Sequence, residues 1–398
     1  MTLGRSWYAR DTRGWTCEAP DDGAAAFHHG LPGYAPTPLV EAPALAAELG
    51  VGRLFVKDES ARFDLRAFKY LGASWAGFRA VAARTGYAGP ASLDGLRSYL
   101  ASADLAADPA LTLITATDGN HGRAVARTAR LLGLPARVYL PRGVPDVVID
   151  RIKAEGALLT VVDADYDGAV MAARADVDAA APGGNEAAGG GAGGMLIQDT
   201  AWDGHEQVPS WIVAGYETLF AEIDAQLAAA GPAWFGGAGA GLISVPVGVG
   251  SLAQAAVAHY RRPGLPRQRR PLLLSVEPDT AACMLRSLAD GALASVPTAS
   301  TVMNGLNCGT PSSIAWPYLR DGLDAAIAVT DADAREAIAA LSAAGVAAGP
   351  SGAAGLAGLR AALTGAGAAS RRRDLGLDAG GAPIVVCLST EGPLDAAH

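Results

Sequence analysis

Nine short, apolar, branched runs punctuate this sequence of 398 residues, and helical periodicity fills the stretches between them. A strand buried on both faces reads as such a run, and strand followed by crossover helix is the repeating unit of a parallel sheet. The runs cover 53–57, 111–116, 136–140, 158–162, 195–198, 242–247, 272–276, 325–329 and 384–388. Helices are expected over 120–132, 144–154, 166–179, 211–229, 251–261, 334–344 and 353–363. A chain of this length exceeds what one hydrophobic core normally serves. The fold class expected is therefore α/β, with two doubly wound lobes of mostly parallel sheet. The smaller lobe is placed at 90–207 and the larger at 1–89 with 208–398, the boundaries being approximate.

Half the residues are hydrophobic, the net charge is -9 and no basic block exceeds Arg371-Arg372-Arg373. Nucleic acid and anionic membrane are poor partners for such a surface. The four cysteines, Cys17, Cys283, Cys308 and Cys387, form no C-x-x-C, and the histidines show no metal-ligand spacing, so no metal is expected and a reducing cytoplasm fits. The first twenty residues lack the apolar core of a signal peptide. Residues 225–260 carry no charge, but glycines, Pro232 and Pro246 make them a strand, a glycine loop and a helix rather than a membrane span. Two Gly- and Ala-rich segments, 183–194 and 365–382, read as surface loops.

The run Phe68-Lys69-Tyr70-Leu71-Gly72-Ala73-Ser74 carries the first chemical signal. A lysine holds an aldehyde cofactor through its amine only where that amine can be uncharged. If the segment is helical, the neighbours of Lys69 at three and four positions are Leu65, Arg66, Gly72 and Ala73, small or apolar apart from one cation that itself favours a neutral amine.

Three further motifs stand where a strand ends, the place at which open α/β sheets bind ligands. In Thr117-Asp118-Gly119-Asn120-His121-Gly122, exposed amides and the helix dipole suit a carboxylate, and Asn120 can reach a phenolic oxygen on a cofactor ring; a plain helix cap is the alternative. In Val247-Gly248-Val249-Gly250-Ser251-Leu252-Ala253, amides and the Ser251 hydroxyl can cradle a phosphate. This run also fits G-x-G-x-x-A, with Glu277 about two dozen residues on, so a nicotinamide (NAD or NADP) oxidoreductase is a rival reading. Against it, five strands precede the motif, and Lys69 would have no task. In Ser389-Thr390-Glu391-Gly392, the Ser389 hydroxyl can bond a pyridine nitrogen and leave it unprotonated, which favours expulsion of a β-substituent over reprotonation.

Together these motifs resemble fold-type II pyridoxal-phosphate enzymes and, more narrowly, the diaminopropionate ammonia-lyases. Thr37-Pro38-Leu39, Val56-Lys57-Asp58-Glu59-Ser60, Gln198-Asp199-Thr200-Ala201-Trp202, Pro209-Ser210-Trp211 and Met303-Asn304-Gly305-Leu306-Asn307-Cys308-Gly309 extend the resemblance over nearly the whole chain. It implies pyridoxal 5'-phosphate on Lys69, with Phe68, Asn120, Gly248, Val249, Gly250, Ser251, Leu252 and Ser389 around it. It implies Lys69 and Asp118 as the groups that take the α-proton of L and D substrates, and Thr117, Gly119, His121 and Asp199 on the substrate side, with Asp199 holding the cationic β-amino group. Elimination from 2,3-diaminopropionate then yields pyruvate and two ammonia. Serine or threonine dehydration and β-replacement are the alternatives on the same cofactor, because Thr310 and Pro350 stand where the resemblance leads one to expect acids. A small-molecule amino-acid substrate and a homodimer are the partners expected.

Overall fold

The structure is a computed structural model that describes residues 7–18, 23–105, 107–179, 190–191, 194–230, 241–377 and 383–394. Its strands are β1 (Trp7–Ala9), β2 (Leu39–Glu41), β3 (Arg53–Asp58), β4 (Leu113–Ala116), β5 (Ala136–Pro141), β6 (Leu158–Val162), β7 (Gly190–Gly191), β8 (Gly194–Leu196), β9 (Leu242–Pro246), β10 (Leu272–Pro278), β11 (Ala325–Val329) and β12 (Ile384–Ser389). Its helices are α1 (Gly23–His29), α2 (Pro43–Leu49), α3 (Lys69–Thr85), α4 (Leu93–Ser102), α5 (Asn120–Leu132), α6 (Asp146–Lys153), α7 (Tyr166–Ala179), α8 (Gln207–Ala230), α9 (Ser251–Tyr260), α10 (Cys283–Asp290), α11 (Ala315–Gly322), α12 (Asp331–Ala343), α13 (Pro350–Leu363) and α14 (Ala368–Asp374).

The chain divides into a first unit of Met1–Pro20, Pro36–Phe68 and Leu219–Pro393 and a second of Asp21–Ala35, Lys69–Thr218 and Leu394–His398. The chain passes into the second unit at Lys69, not at residue 90, because α3 packs against α5 rather than on the strand that precedes it.

The first unit holds a seven-stranded sheet in the order β1-β11-β10-β9-β12-β3-β2. Its five central strands run parallel, and β1 and β2 close the edges antiparallel. The second unit holds the order β6-β5-β4-β8-β7, parallel except for the edge pair β7 with β8. Each of the nine apolar runs is a strand of a parallel pair. The three strands without such a run are two or three residues long and antiparallel.

Glycines at every third position bring α13 close to the last strand. A Cβ on Gly352 would lie 2.5 Å from the Glu391 carbonyl oxygen, and one on Gly355 would lie 2.7 Å from that of Leu388. The first unit also buries two cations and two carboxylates together. Lys57 and Arg62 donate to Glu222 at 2.6 and 2.7 Å, and Arg62 donates to Glu59 at 2.8 Å, all four side chains being almost wholly buried. Arg62 thereby fixes the approach to Phe68, whose amide donates to the Thr390 carbonyl.

Both segments expected to be loops contain regular structure. Within 183–194, the pair Gly190–Gly191 and Gly194 joins the sheet, the remainder lying outside the described residues. Within 365–382, α14 forms because Arg371 and Arg372 donate to the carbonyls of Ala362 and Leu363 at the end of α13. That anchoring is tertiary, so no periodicity announces it. Residues 378–382 lie outside the described residues.

Candidate active site

Lys69 is the first residue of α3 and its neighbours Gly72 and Ala73 are buried, as its local sequence suggests. Leu65 and Arg66 are not helical neighbours, since Arg66 has φ 63° and the helix has not begun. Gly72 is required here: its Cβ would lie 2.6 Å from a ring carbon of Tyr216 and 2.7 Å from Ile212 on α8. The Lys69 Nζ donates to the Asp199 Oδ2 at 2.5 Å. The amine is thus paired with a buried carboxylate that the flanking residues do not supply. That carboxylate is 130 positions away, beyond the reach of any local pattern.

Asp199 is 5 % exposed. Burial pushes its carboxyl up, but the Lys69 charge and the Lys69 hydrogen bond hold it well below the ordinary carboxylate range. The neighbouring Gln198, wholly buried, ties the segment to the sheet. Its Oε1 accepts from the Ala116 amide at 3.0 Å and the Thr115 hydroxyl at 3.1 Å, and its Nε2 donates to the Tyr166 hydroxyl at 2.9 Å. The sequence names Gln198 only as part of the run 198–202 and gives neither it nor Tyr166 a task. Gln198 beside Asp199 was the available signal, since a buried amide next to a carboxylate needs fixed partners.

Asp118 and Asn120 lie on the turn between β4 and α5, both half-buried. The Thr117 hydroxyl accepts from the Gly119 amide at 2.9 Å, which sets the turn. Gly122 lets α5 start there, as its Cβ would lie 2.2 Å from the Thr117 methyl. His121 donates from Nε2 to the Ile197 carbonyl at 2.7 Å, joining this turn to the segment that carries Asp199. The second unit therefore gathers Lys69, His121 and Asp199 within electrostatic reach, with Thr117, Asp118, Gly119 and Asn120 on the adjoining turn.

Phe68, Gly248, Val249, Gly250, Ser251, Leu252 and Ser389 belong to the first unit. There β9 and β12 are parallel neighbours, so the Gly248 turn and Ser389 lie at the same end of adjacent strands. Gly250 has φ 102°, a left-handed value that favours glycine, and α9 starts at the next residue. The amides opening α9 and the positive end of its dipole suit a phosphate. Ser389 is wholly buried, and its Oγ has no hydrogen-bond partner among the described residues. A ligand that brings a phosphate and a ring nitrogen fits both features, and pyridoxal phosphate has both groups.

Glu277 does not serve as a ribose-binding acid. Wholly buried, it accepts from the Met284 and Leu285 amides at 2.7 Å each, capping α10. Burial pushes its carboxyl up to about 8. Thr310 bonds the exposed Ser295 hydroxyl at 2.8 Å. At the other substituted position Pro350 opens α13, and the Glu391 carboxylate accepts from the next amide, that of Ser351, at 3.1 Å.

Among the described residues no helix is long and apolar enough to cross a membrane. The family model described as "Pyridoxal-phosphate dependent enzyme" matches residues 31–373. A diaminopropionate ammonia-lyase of Salmonella typhimurium is 36% identical over 321 residues, 77% of this chain and 71% of that protein. The crystal structure of the Escherichia coli diaminopropionate ammonia lyase with D-serine is 30% identical with a TM-score of 0.82, covering 98% of this chain and 94% of that one. The same lyase with an aminoacrylate-PLP azomethine reaction intermediate is 30% identical with a TM-score of 0.78, covering 99% of this chain and 95% of that one.

Proposed function

Since the chain belongs to the pyridoxal-phosphate-dependent enzymes, we propose that it is an ammonia-lyase that removes both amino groups of 2,3-diaminopropionate, leaving pyruvate. The observation that carries this reading is the buried Asp199 carboxylate bonded to a cationic nitrogen at 2.5 Å. A second amino group is what distinguishes this substrate from serine and threonine, and a buried carboxylate rewards a cation where a hydroxyl gains far less.

When bound, pyridoxal phosphate supplies the electron sink that makes an amino acid's α-proton acidic. In this reading Lys69 carries it and Phe68 precedes it in the chain. The amides of Gly248, Val249, Gly250, Ser251 and Leu252 hold its phosphate, Asn120 meets its phenolic oxygen, and the unpartnered Ser389 hydroxyl meets its ring nitrogen. A neutral hydroxyl leaves that nitrogen uncharged, so expulsion of the β-substituent outruns reprotonation at the α-carbon. Thr117 and Gly119 bind the substrate's carboxylate side.

Lys69 and Asp118 divide the two enantiomers between them as bases; that the E. coli relative forms a complex with D-serine supports a D substrate as well as an L one. Asp199 orients the β-ammonium. The departing amine must leave protonated, and Asp118, Asp199 and the Lys69 ammonium are the acids at hand. The enzyme is further proposed to be a cytoplasmic homodimer. Four unbridged cysteines support a reducing compartment, and sedimentation of the loaded protein measures its size.

Two readouts test the proposal together. Borohydride reduction of the loaded protein followed by peptide mass spectrometry is expected to find the cofactor on Lys69, and turnover of 2,3-diaminopropionate is expected to give two ammonia per pyruvate. Cofactor on another lysine, or one ammonia per keto acid, overturns it.

A further inference from the structure

His121 is 4 % exposed, and its Nε2 lies 2.7 Å from the Ile197 carbonyl oxygen. A carbonyl only accepts, so Nε2 carries the hydrogen and the tautomer is fixed. Nδ1 of the neutral ring is then a bare lone pair, and it has no hydrogen-bond partner among the described residues. Burial above all, and then the Lys69 cation, hold the ring neutral against the pull of Asp199. A buried acceptor without a donor weakens a folded protein unless something else fills the place. Helix entry alone does not explain it, since only Nε2 is used in joining α5 to the Ile197 segment.

We propose that His121 Nδ1 is a second acceptor for the substrate's β-ammonium group, beside Asp199. This deepens the lyase reading and rests on it. The Lys69 ammonium, 2.5 Å from Asp199, already shows that a cationic nitrogen fits on that carboxylate. An ammonium has three hydrogens, so it bonds Asp199 and still has one for Nδ1. A β-hydroxyl has a single hydrogen and leaves one of the two acceptors unmet. His121 thus selects amine over hydroxyl by number of donors, where Asp199 selects by charge.

The test uses cofactor-loaded Lys69→Ala protein labelled with 15N-histidine, so that substrate binds without turnover. The His121 resonances are assigned by their loss in His121→Gln, or by substituting the other histidines one at a time. L-2,3-Diaminopropionate is expected to move the Nδ1 resonance in the direction of an accepted hydrogen bond, and L-alanine, which has no β-donor, to leave it in place. With Lys69 intact, His121→Gln is expected to lower the kcat/KM ratio of diaminopropionate to serine by about tenfold, one charge-assisted hydrogen bond, while cofactor affinity read by absorbance stays unchanged. An Nδ1 resonance that responds equally to both amino acids, or an equal loss on both substrates, overturns the inference. If the parent protein makes no pyruvate from diaminopropionate, it is the lyase reading that fails.

Discussion

Lys69 and Asp199 form an ion pair at 2.5 Å in which the carboxylate is buried and the lysine half-buried, although the helix start that carries the lysine and the loop that carries the carboxylate are 130 residues apart. Once Lys69 is engaged through its amine, Asp199 loses its cation. A buried carboxylate without a counter-charge is costly, so the site is primed for a substrate that brings a positive charge of its own. Asp199→Asn removes the charge and keeps the shape. It is expected to lower kcat/KM for diaminopropionate by about 100-fold, the scale of a charge-assisted hydrogen bond, with the cofactor still bound by its absorbance.

The crossing of α3 and α8 sets where Lys69 stands. Gly215 approaches so closely that a Cβ there would lie 2.5 Å from the Leu71 carbonyl oxygen, and a Cβ on Gly72 would strike Tyr216. Gly72→Ala is expected to destabilise the protein by about 1–3 kcal/mol, the usual result of overpacking, and to reduce the fraction of cofactor bound through Lys69. Denaturant melts and borohydride trapping measure the two effects.

Glu277 gives stability a pH dependence of known sign. Burial raises its carboxyl from the ordinary 4.5 to about 8. Its contribution to stability is therefore fully present below about pH 4.5 and declines as pH rises towards 8. Glu277→Gln keeps an acceptor for only one of the two α10 amides and is less stable at low pH, but it does not titrate, so its stability relative to the parent is expected to rise across that window in urea melts.

Glu222 behaves in the opposite sense. Burial pushes its carboxyl up, but Arg62 and Lys57 override that and hold it at about 2, against 4.5 ordinarily. Its contribution is present above pH 4.5 and lost as pH falls towards 2. Glu222→Gln leaves buried cations short of a charge, and a loss of about 3 kcal/mol at neutral pH is expected. The gap to the parent should narrow on acidification, as thermal melts between pH 3 and 7 would reveal.

The sequence made the parallel strands legible because most of them are buried on both faces and so read as apolar runs; Leu158–Val162 lies largely exposed and was legible only by its branched composition. Trp7–Ala9 and Leu39–Glu41 escaped because three half-exposed residues on a sheet edge carry no such pattern. The turn 117–122 and the glycine loop before Ser251 were readable because their glycines and polar residues act locally. The Lys69–Asp199 pair, the buried cations on Glu222 and the capping task of Glu277 were not, since each depends on which distant segment comes to lie alongside. Leu65 and Arg66 misled for a related reason. Arg66 takes a left-handed φ of 63°, and helical spacing has no meaning before the helix starts.

Keto-acid release from the cofactor-loaded protein, with L- and D-2,3-diaminopropionate run beside L-serine and L-threonine at equal concentration, decides which amino acid is the substrate. Pyruvate from diaminopropionate is expected well above the product from either hydroxy amino acid. A preference for serine or threonine, or no product from any of the four, would contradict the proposed function.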